Sequence, residues 1–209
     1  MKKYIYTLLT ICVGFSASAQ YDPDALEVLN AMSSKYKEMG PYGADFTQEL
    51  VNESAGINDK ITGSIVVSED KYVLKVAGQE IYNNGTDVYS YSEEISEVTI
   101  STYEPEEQEI SVSNIYDLYK DGFKYILMAT NQKGDRMVEL DPESKDKSYF
   151  KIKLVIDKND ALKKFTVMER SGNQYIYSIN SLEKKPDLTS DYFTFDESKY
   201  PDVEVIDFR

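Results

Sequence analysis

The chain of 209 residues carries 37 acidic against 23 basic side chains, and it contains one cysteine, no histidine and no tryptophan. This inventory excludes Ser-His-Asp catalysis, the usual His or Cys zinc sites and any internal disulfide, and it predicts neither a bound metal nor a cofactor. Because a formal charge of −14 repels phosphate backbones and other copies of the chain, the sequence predicts no nucleic-acid partner and a monomeric protein.

Residues 1–19 have the pattern of a secretory signal. Lys2 and Lys3 precede an apolar run over residues 4–15, and the small residues 16–19 then fit a signal-peptidase site. We therefore expect a cleaved signal peptide over residues 1–19, a single mature domain over residues 20–209 and a periplasmic location. Removing the two lysines would lower the formal charge from −14 to −16.

Two other interpretations of this segment fit less well. A membrane anchor needs about 20 apolar residues followed by stop-transfer charges, and this run is shorter. A lipid-modified Cys12 would need a small residue before it, whereas Ile11 is bulky. Cleavage after Ala19 is therefore the prediction.

The mature chain opens with a predicted helix over residues 23–39. Asp22 can cap its first turn, Pro23 suits its first position, and Gly40 followed by Pro41 ends it. Apolar residues recur in it at spacings of three and four: Leu26, Leu29, Met32, Tyr36 and Met39. This pattern is typical of an amphipathic helix that covers an apolar surface.

Most of the remaining chain alternates apolar and polar residues between short turn signals such as Asn83-Asn84-Gly85. The predicted strands are residues 43–52, 60–68, 71–77, 79–83, 86–92, 95–103, 136–140, 148–157, 161–169, 173–180 and 191–195. Short strands joined by tight turns favour an antiparallel meander.

One stretch, residues 113–130, interrupts this alternation. Ile115, Leu118 and Tyr119 lie at helical spacing behind Ser113, which can cap a helix, and Gly122 ends the pattern. The sequence therefore predicts a short apolar helix over residues 113–120, between two runs of strands.

Several predicted strands have one strongly apolar face, and two interpretations are open. Either the helices complete an ordinary core, or the sheet curls round an apolar hollow that the helices close. Gln48 shares a face with Phe46, and an amide in that place favours an interior open to water at one end. For Tyr175 and Tyr177 we expect outward-facing cross-strand pairs.

If the faces line a hollow, its wall and its cover come from separate elements. The predicted wall residues are Phe46, Tyr72, Leu74, Val76, Tyr89, Ile100, Ile152 and Leu154. The predicted lid residues are Ile115, Leu118 and Tyr119.

The order of several short motifs resembles the periplasmic outer-membrane lipoprotein carriers of Gram-negative bacteria, the LolA type. The motifs are D-F-T-Q at residues 45–48, G-S-I-V-V at 63–67, I-Y-N-N-G-T-D-V-Y-S-Y at 81–91, L-D-P at 140–142 and F-T-F at 193–195. The resemblance implies a mainly β, single-domain, partly open antiparallel β-barrel, with helices over its concave hydrophobic side. It also implies that the predicted wall residues form a cavity for acyl chains.

In function, the resemblance implies a carrier rather than an enzyme. Such a carrier receives acylated lipoproteins from an inner-membrane ABC-type release complex and delivers them to an outer-membrane acceptor. This sequence departs from the family at the Arg-Pro that commonly follows the second strand, whose arginine is implicated in holding the lid closed. Ser68-Glu69-Asp70 stands there instead, so another group must hold any lid in place.

Three alternatives to a carrier remain open. A sensing module on the same fold would bind lipid or lipoprotein without moving it. A hydrolase with paired carboxylates is chemically compatible with 37 acidic residues, although such pairs arise by chance at this density. A structural or adhesive β-protein would have a filled core and no ligand.

Overall fold

The computed structural model describes residues 21–105 and 110–209, so the predicted signal peptide lies outside the described residues. The single α-helix among them, α1 (Pro23–Met39), has the predicted bounds. The carboxylate of Asp22 accepts hydrogen bonds from the backbone amides of Asp24 and Ala25, which caps the first turn. Gly40 ends the helix with φ +71°, a conformation that favours glycine.

In the described part of the chain, twelve strands form one sheet. They are β1 (Tyr42–Asn52), β2 (Ile57–Ser68), β3 (Lys71–Val76), β4 (Gln79–Asn83), β5 (Asp87–Ser92), β6 (Glu97–Thr102), β7 (Phe123–Thr130), β8 (Arg136–Pro142), β9 (Tyr149–Ile156), β10 (Leu162–Glu169), β11 (Gln174–Lys184) and β12 (Glu204–Asp207). Their order is β12-β6-β5-β4-β3-β2-β1-β11-β10-β9-β8-β7. The end strands β12 and β7 do not pair with each other, so the sheet is open.

Every strand predicted between residues 43 and 180 is present, and neighbouring strands pair antiparallel as expected. The strand predicted over residues 191–195 is wrong. A 3₁₀ turn at Ser190–Phe193 stands there, and it turns Phe193 towards the sheet while Tyr192 stays exposed. The last strand also departs from the predicted antiparallel meander, because β12 pairs with β6 in parallel.

The helix predicted over residues 113–120 is also wrong. Turns run through this stretch, and only Leu118–Lys120 forms a 3₁₀ turn. The Asn114 side chain accepts a hydrogen bond from the Ser111 backbone amide, and the Ser111 hydroxyl accepts one from the Ser113 amide. Such local side-chain bonds stabilise turns at the expense of helix. We call residues 110–120 the lid segment.

The main apolar core lies on the face of the sheet that packs against α1, which we call the inner face. Phe46 from β1 is buried there together with Leu29 and Met32 from α1. Its ring occupies the space above Gly63 on the neighbouring strand β2. A Cβ atom at Gly63 would lie 2.6 Å from the Phe46 ring and 2.8 Å from the Lys75 carbonyl oxygen, so the close packing requires glycine.

A second, smaller cluster lies on the opposite, outer face of the sheet. Phe195 packs there against Tyr91 of β5 and Tyr200, with ring centroids 5.4 and 4.7 Å away. The C-terminal segment that follows β11 therefore covers the outer face of β4 to β6, and β12 then joins the edge of the sheet.

Candidate functional site

Six of the predicted wall residues lie together on the inner face. Phe46, Ile152 and Leu154 are at most 2% exposed and belong to the main core. The other three are half-buried on β3 and pack against that core: Tyr72, Leu74 and Val76. The structure thus brings residues from distant parts of the chain to one apolar surface.

Tyr89 and Ile100 do not reach this surface. They pair across β5 and β6, Tyr89 also pairs with Tyr82, and Tyr82 pairs with Val73. Val73 precedes Leu74, so this set points to the outer face, where Tyr89 and Tyr82 pack on Phe195. The expectation that Tyr89 and Ile100 line the same hollow as Leu74 is therefore wrong.

Tyr175 and Tyr177 correct a second expectation. Both pack against the main core rather than facing outward. The Tyr177 ring stacks on Phe165, with 4.4 Å between centroids. Gln48 pairs with Tyr177 across β1 and β11 and is only half-buried, so its amide lies on the inner face without being enclosed.

The three predicted lid residues lie over the inner face. Ile115 and Tyr119 are buried in the main core, and Leu118 packs against it. The Tyr119 hydroxyl also donates a hydrogen bond to Asn30 Oδ1 of α1, at 2.7 Å. The lid segment therefore covers the inner face beside α1 even though it is not a helix.

Side chains rather than backbone pairing hold the lid segment to α1. The buried Ser33 hydroxyl donates to Asp117 Oδ1 at 2.5 Å and accepts from Lys120 Nζ at 2.9 Å. Lys37 Nζ lies 3.5 Å from Asp117 Oδ2, and Lys120 also pairs with Asp117. Burial opposes ionisation of Asp117, but these partners outweigh it and lower its pKa. These contacts hold the lid segment without the arginine that the family resemblance led us to expect after β2, where Ser68-Glu69-Asp70 stand instead.

A cavity of about 660 Å³ opens at one end of the inner face, and we call it the mouth cavity. It lies between the end of α1, the start of β1, the turn that joins β2 to β3, and the lid segment. Its lining residues are Tyr36, Lys37, Gly40, Pro41, Tyr42, Val67, Ser68, Glu69, Asp70, Tyr72, Tyr103, Pro105, Ser113, Asn114, Tyr116 and Asp117. Its size is typical of small-ligand sites.

Three tyrosines form the inner wall of the mouth cavity, and we call them the tyrosine trio: Tyr36, Tyr42 and Tyr116. Tyr36 stacks on Tyr116 at 4.9 Å, and Tyr42 meets both rings edge-on. The trio also lines a void of about 10 Å³ beneath it, whose other walls are apolar and include Ile115. The trio therefore separates the mouth cavity from the apolar interior.

Burial keeps the phenols of the trio neutral. It raises the pKa of Tyr36 to about 12 and that of Tyr42 well above its usual value. The Tyr42 hydroxyl is inaccessible to solvent, and the neighbouring Tyr116 phenol adds to the rise in its pKa. A buried hydroxyl costs free energy unless something bonds it.

Sequence reasoning missed most of this wall. The helical periodicity includes Tyr36 in the apolar face of α1, but Tyr42 lies one residue before the predicted start of its strand. Tyr103 directly follows β6 and Tyr116 lies in the turns of the lid segment, where apolar periodicity carries no signal. Ser33 and Asp117 are separated by 84 residues, and only the fold brings them together.

The described part of the chain has neither a cluster of metal-ligating side chains nor a membrane-spanning helix. Within residues 21–105 and 110–209, no three His, Cys, Asp or Glu side chains come together in a way that could hold a metal ion. No helix in that part of the chain is long and apolar enough to cross a membrane.

The open sheet, with an apolar inner face under one helix and a lid segment, defines an open-barrel β-protein with a covered interior. Residues 40–196 match the family described as "Outer membrane lipoprotein carrier protein LolA", which confirms the resemblance found in the sequence. Because the match spans most of the chain, the chain belongs to the LolA family. Membership supports a lipoprotein carrier or binding role and implies a periplasmic protein.

Individual relatives are distant. An outer-membrane lipoprotein carrier protein from Haemophilus ducreyi is 25% identical over 225 residues, covering 100% of this chain and 98% of its own length. An uncharacterized conserved protein from Thermus thermophilus has a similar structure, with a TM-score of 0.58, 12% identity and coverage of 88% and 99% of the two chains. A LolA superfamily protein from Nitrosomonas europaea has a TM-score of 0.47 at 12% identity, with coverage of 82% and 98%. The structural likeness shows the fold alone.

Proposed function

We propose that this protein is a periplasmic carrier, exported by its signal peptide, that shields the acyl chains of lipoproteins between the inner and the outer membrane. It would receive them as a monomer from an inner-membrane ABC-type release complex and pass them to an outer-membrane acceptor. The observation that carries the proposal is the cover of the inner face, because a lid segment held by side chains can separate from α1 without breaking the sheet.

The acyl chain would lie on the inner face beneath the lid segment. The proposed contacts are Phe46, Tyr72, Leu74, Val76, Ile152 and Leu154 from the sheet, with Ile115, Leu118 and Tyr119 from the lid segment. In this structure the interior is filled, since Ile152 and Leu154 are at most 1% exposed. An interior at normal packing density has no room for further atoms, so loading requires the lid segment to move.

The energetics explain why a shield is needed. Burying one methylene group stabilises by about 0.8 kcal/mol, so a 16-carbon chain exposed to water is unfavourable by on the order of 12 kcal/mol. A lipoprotein with several such chains would cross the aqueous periplasm too slowly on its own. The carrier only has to replace the water around the acyl chains. An acceptor that binds these chains more tightly than the carrier does can then set the direction of transfer.

The test is to tie the lid segment to α1 reversibly. Lys37 and Asp117 form an ion pair across this contact, with side chains 60% and 37% exposed. A Lys37→Cys/Asp117→Cys variant, bridged by a short reducible bis-methanethiosulfonate, should lose binding of a palmitoylated peptide and regain it on reduction. The native chain has only Cys12, within the predicted signal peptide, so no other thiol of the mature protein competes.

A matched control exists within the sheet. Lys60 and Glu49 form an ion pair between β1 and β2, with side chains 61% and 33% exposed. The bridged Lys60→Cys/Glu49→Cys variant should bind the peptide as the unmodified protein does. Undiminished binding by the bridged Lys37→Cys/Asp117→Cys variant would contradict entry beneath the lid segment.

An experiment in cells tests lipoprotein transport itself. Replacing the native protein by the Lys37→Cys/Asp117→Cys variant, bridged in the periplasm, should leave lipoproteins at the inner membrane. Normal lipoprotein sorting with the bridged variant would remove the carrier role and leave a binding module on the same fold.

A further inference from the structure

Tyrosines form much of the lining of the mouth cavity. Five tyrosines line it: Tyr36, Tyr42, Tyr72, Tyr103 and Tyr116. Tyr72 and Tyr103 come from the sheet, and the tyrosine trio stands on the other side. Rings arranged around a space of this size attract cations through their negative faces, and quaternary ammonium groups above all.

The charges around the cavity also favour binding of a cation. Among the described residues, three carboxylates line it, those of Glu69, Asp70 and Asp117, together with one ammonium group, that of Lys37. Lys37 and Lys120 both pair with Asp117, so they offset its charge. Glu69 and Asp70 lie exposed in the turn between β2 and β3, and they leave the rim negative.

The Tyr42 hydroxyl supplies a polar group at the wall of the cavity. It is buried at this wall, beside the Tyr116 ring. A phenol can donate to an ester or hydroxyl oxygen of a bound molecule. The trio borders the apolar interior on its other side, so a molecule bound in the cavity would lie next to the proposed acyl site.

We infer that the mouth cavity binds the ammonium headgroup of an acylated amphiphile, with the half-buried Tyr72, Tyr103 and Tyr116 beside the cation and Glu69 and Asp70 at the rim. The acyl chain of that amphiphile would pass the tyrosine trio into the apolar interior. This inference rests on the proposed function for the position of the chain, but the headgroup site can be tested without it.

The first experiment compares ligands that differ in charge alone. Choline and 3,3-dimethylbutan-1-ol have nearly the same shape, but only choline is cationic. In calorimetric or NMR titrations of the mature protein, choline should bind about tenfold more tightly than its neutral isostere. Dodecyltrimethylammonium, below its micelle concentration, should bind more tightly than choline because its chain adds apolar burial.

The second experiment removes the rim charges with a matched control. Glu69→Gln/Asp70→Asn should weaken choline binding several-fold, and more so at low ionic strength. Glu93→Gln/Glu94→Gln changes the net charge equally in the exposed turn between β5 and β6, and it should leave choline binding unchanged.

The third experiment removes an aromatic face. Tyr103→Leu should weaken choline binding, whereas Tyr103→Phe keeps the ring and should restore most of it. Both variants change a half-buried side chain at the end of β6, and circular dichroism will show that the fold is kept.

Each outcome separates this inference from the proposed function. Equal binding of choline and its neutral isostere would overturn the headgroup site, while binding of a palmitoylated peptide would still support the carrier. Equal affinity for choline and dodecyltrimethylammonium would overturn the assignment to an amphiphile. Choline binding without any binding of the palmitoylated peptide would refute the proposed function alone.

Discussion

The inner face has two ends that are built by opposite means. At the deep end, Phe165 and Leu154 are at most 1% exposed, and Phe165 stacks on the half-buried Tyr177. The mouth end holds a cavity of about 660 Å³ lined by tyrosines and charged groups. Close packing closes the first end, whereas polar contacts between α1 and the lid segment close the second.

This difference shows how one sheet can be stable and still admit a ligand. The stabilisation from packing at the deep end depends on side chains that fill the available space. A change in the size of one side chain there therefore lowers the free energy of unfolding substantially. Hydrogen bonds and ion pairs of half-exposed groups contribute less, and water can replace them when they open. The mouth is therefore the end at which the protein can open without unfolding.

The largest effect should follow removal of a deep aromatic ring. Phe165→Ala leaves a cavity at a site that is 0% exposed, and it should lower the free energy of unfolding by about 3–5 kcal/mol. Urea denaturation followed by circular dichroism measures it. A loss below about 1 kcal/mol would mean that the deep end is not filled as the structure indicates.

Smaller effects should follow when a leucine is replaced by the larger phenylalanine, and we compare this change at two positions. Leu154→Phe adds atoms where no space exists and should cost roughly 1–3 kcal/mol. Leu74→Phe should leave stability nearly intact, because Leu74 is half-buried, and it should weaken binding of a palmitoylated peptide. If Leu74→Phe is strongly destabilised and binds the peptide normally, the inner face of β3 is ordinary core.

The smallest effect should come from the tyrosine trio at high pH. Burial raises the pKa of Tyr36 to about 12, above the value of 10.0 that applies to an unfolded chain. The stabilisation from the neutral phenol is therefore complete below pH 10 and is lost as the pH rises from about 10 to about 12.

Tyr36→Phe removes this titration. Near neutral pH it should cost about 1 kcal/mol for the lost hydrogen bond between the Tyr36 hydroxyl and the Leu162 backbone. That difference from the native protein should shrink and then reverse between pH 10 and 12, because only the native protein loses the stabilisation from its neutral phenol, as measured by urea denaturation at each pH. A difference that stays constant over this range would show that Tyr36 does not titrate as a buried group.

Much of the fold could be predicted because its signals are local. The caps at Asp22 and Gly40 bound α1 in both sequence and structure, and alternation located every strand between residues 43 and 180 except β7. Strand β7 was missed because its apolar residues run together and a register shift between Leu127 and Ala129 breaks the period. Strand β12 was missed because its pairing partner, β6, is remote in the chain.

The candidate site was less predictable than the fold. Alternation placed Phe46, Leu74 and Leu154 on one face, because a run of alternating residues records which side chains share a side of their own strand. It does not record which side of the sheet is the inner one for a strand several positions away. Tyr89 and Ile100 were therefore predicted to line the wall, but they lie on the outer face, where Phe195 packs on Tyr89.

The sequence by itself determined the family, the open mainly β fold and the covering helix, because motif order, alternation and caps are properties of neighbouring residues. Only the tertiary structure decided which face each strand presents, how Ser33 meets Asp117 and where the mouth cavity lies. The five tyrosines of that cavity come from α1, β1, β3, the end of β6 and the lid segment. Their proximity is a product of chain packing, and no local pattern encodes it.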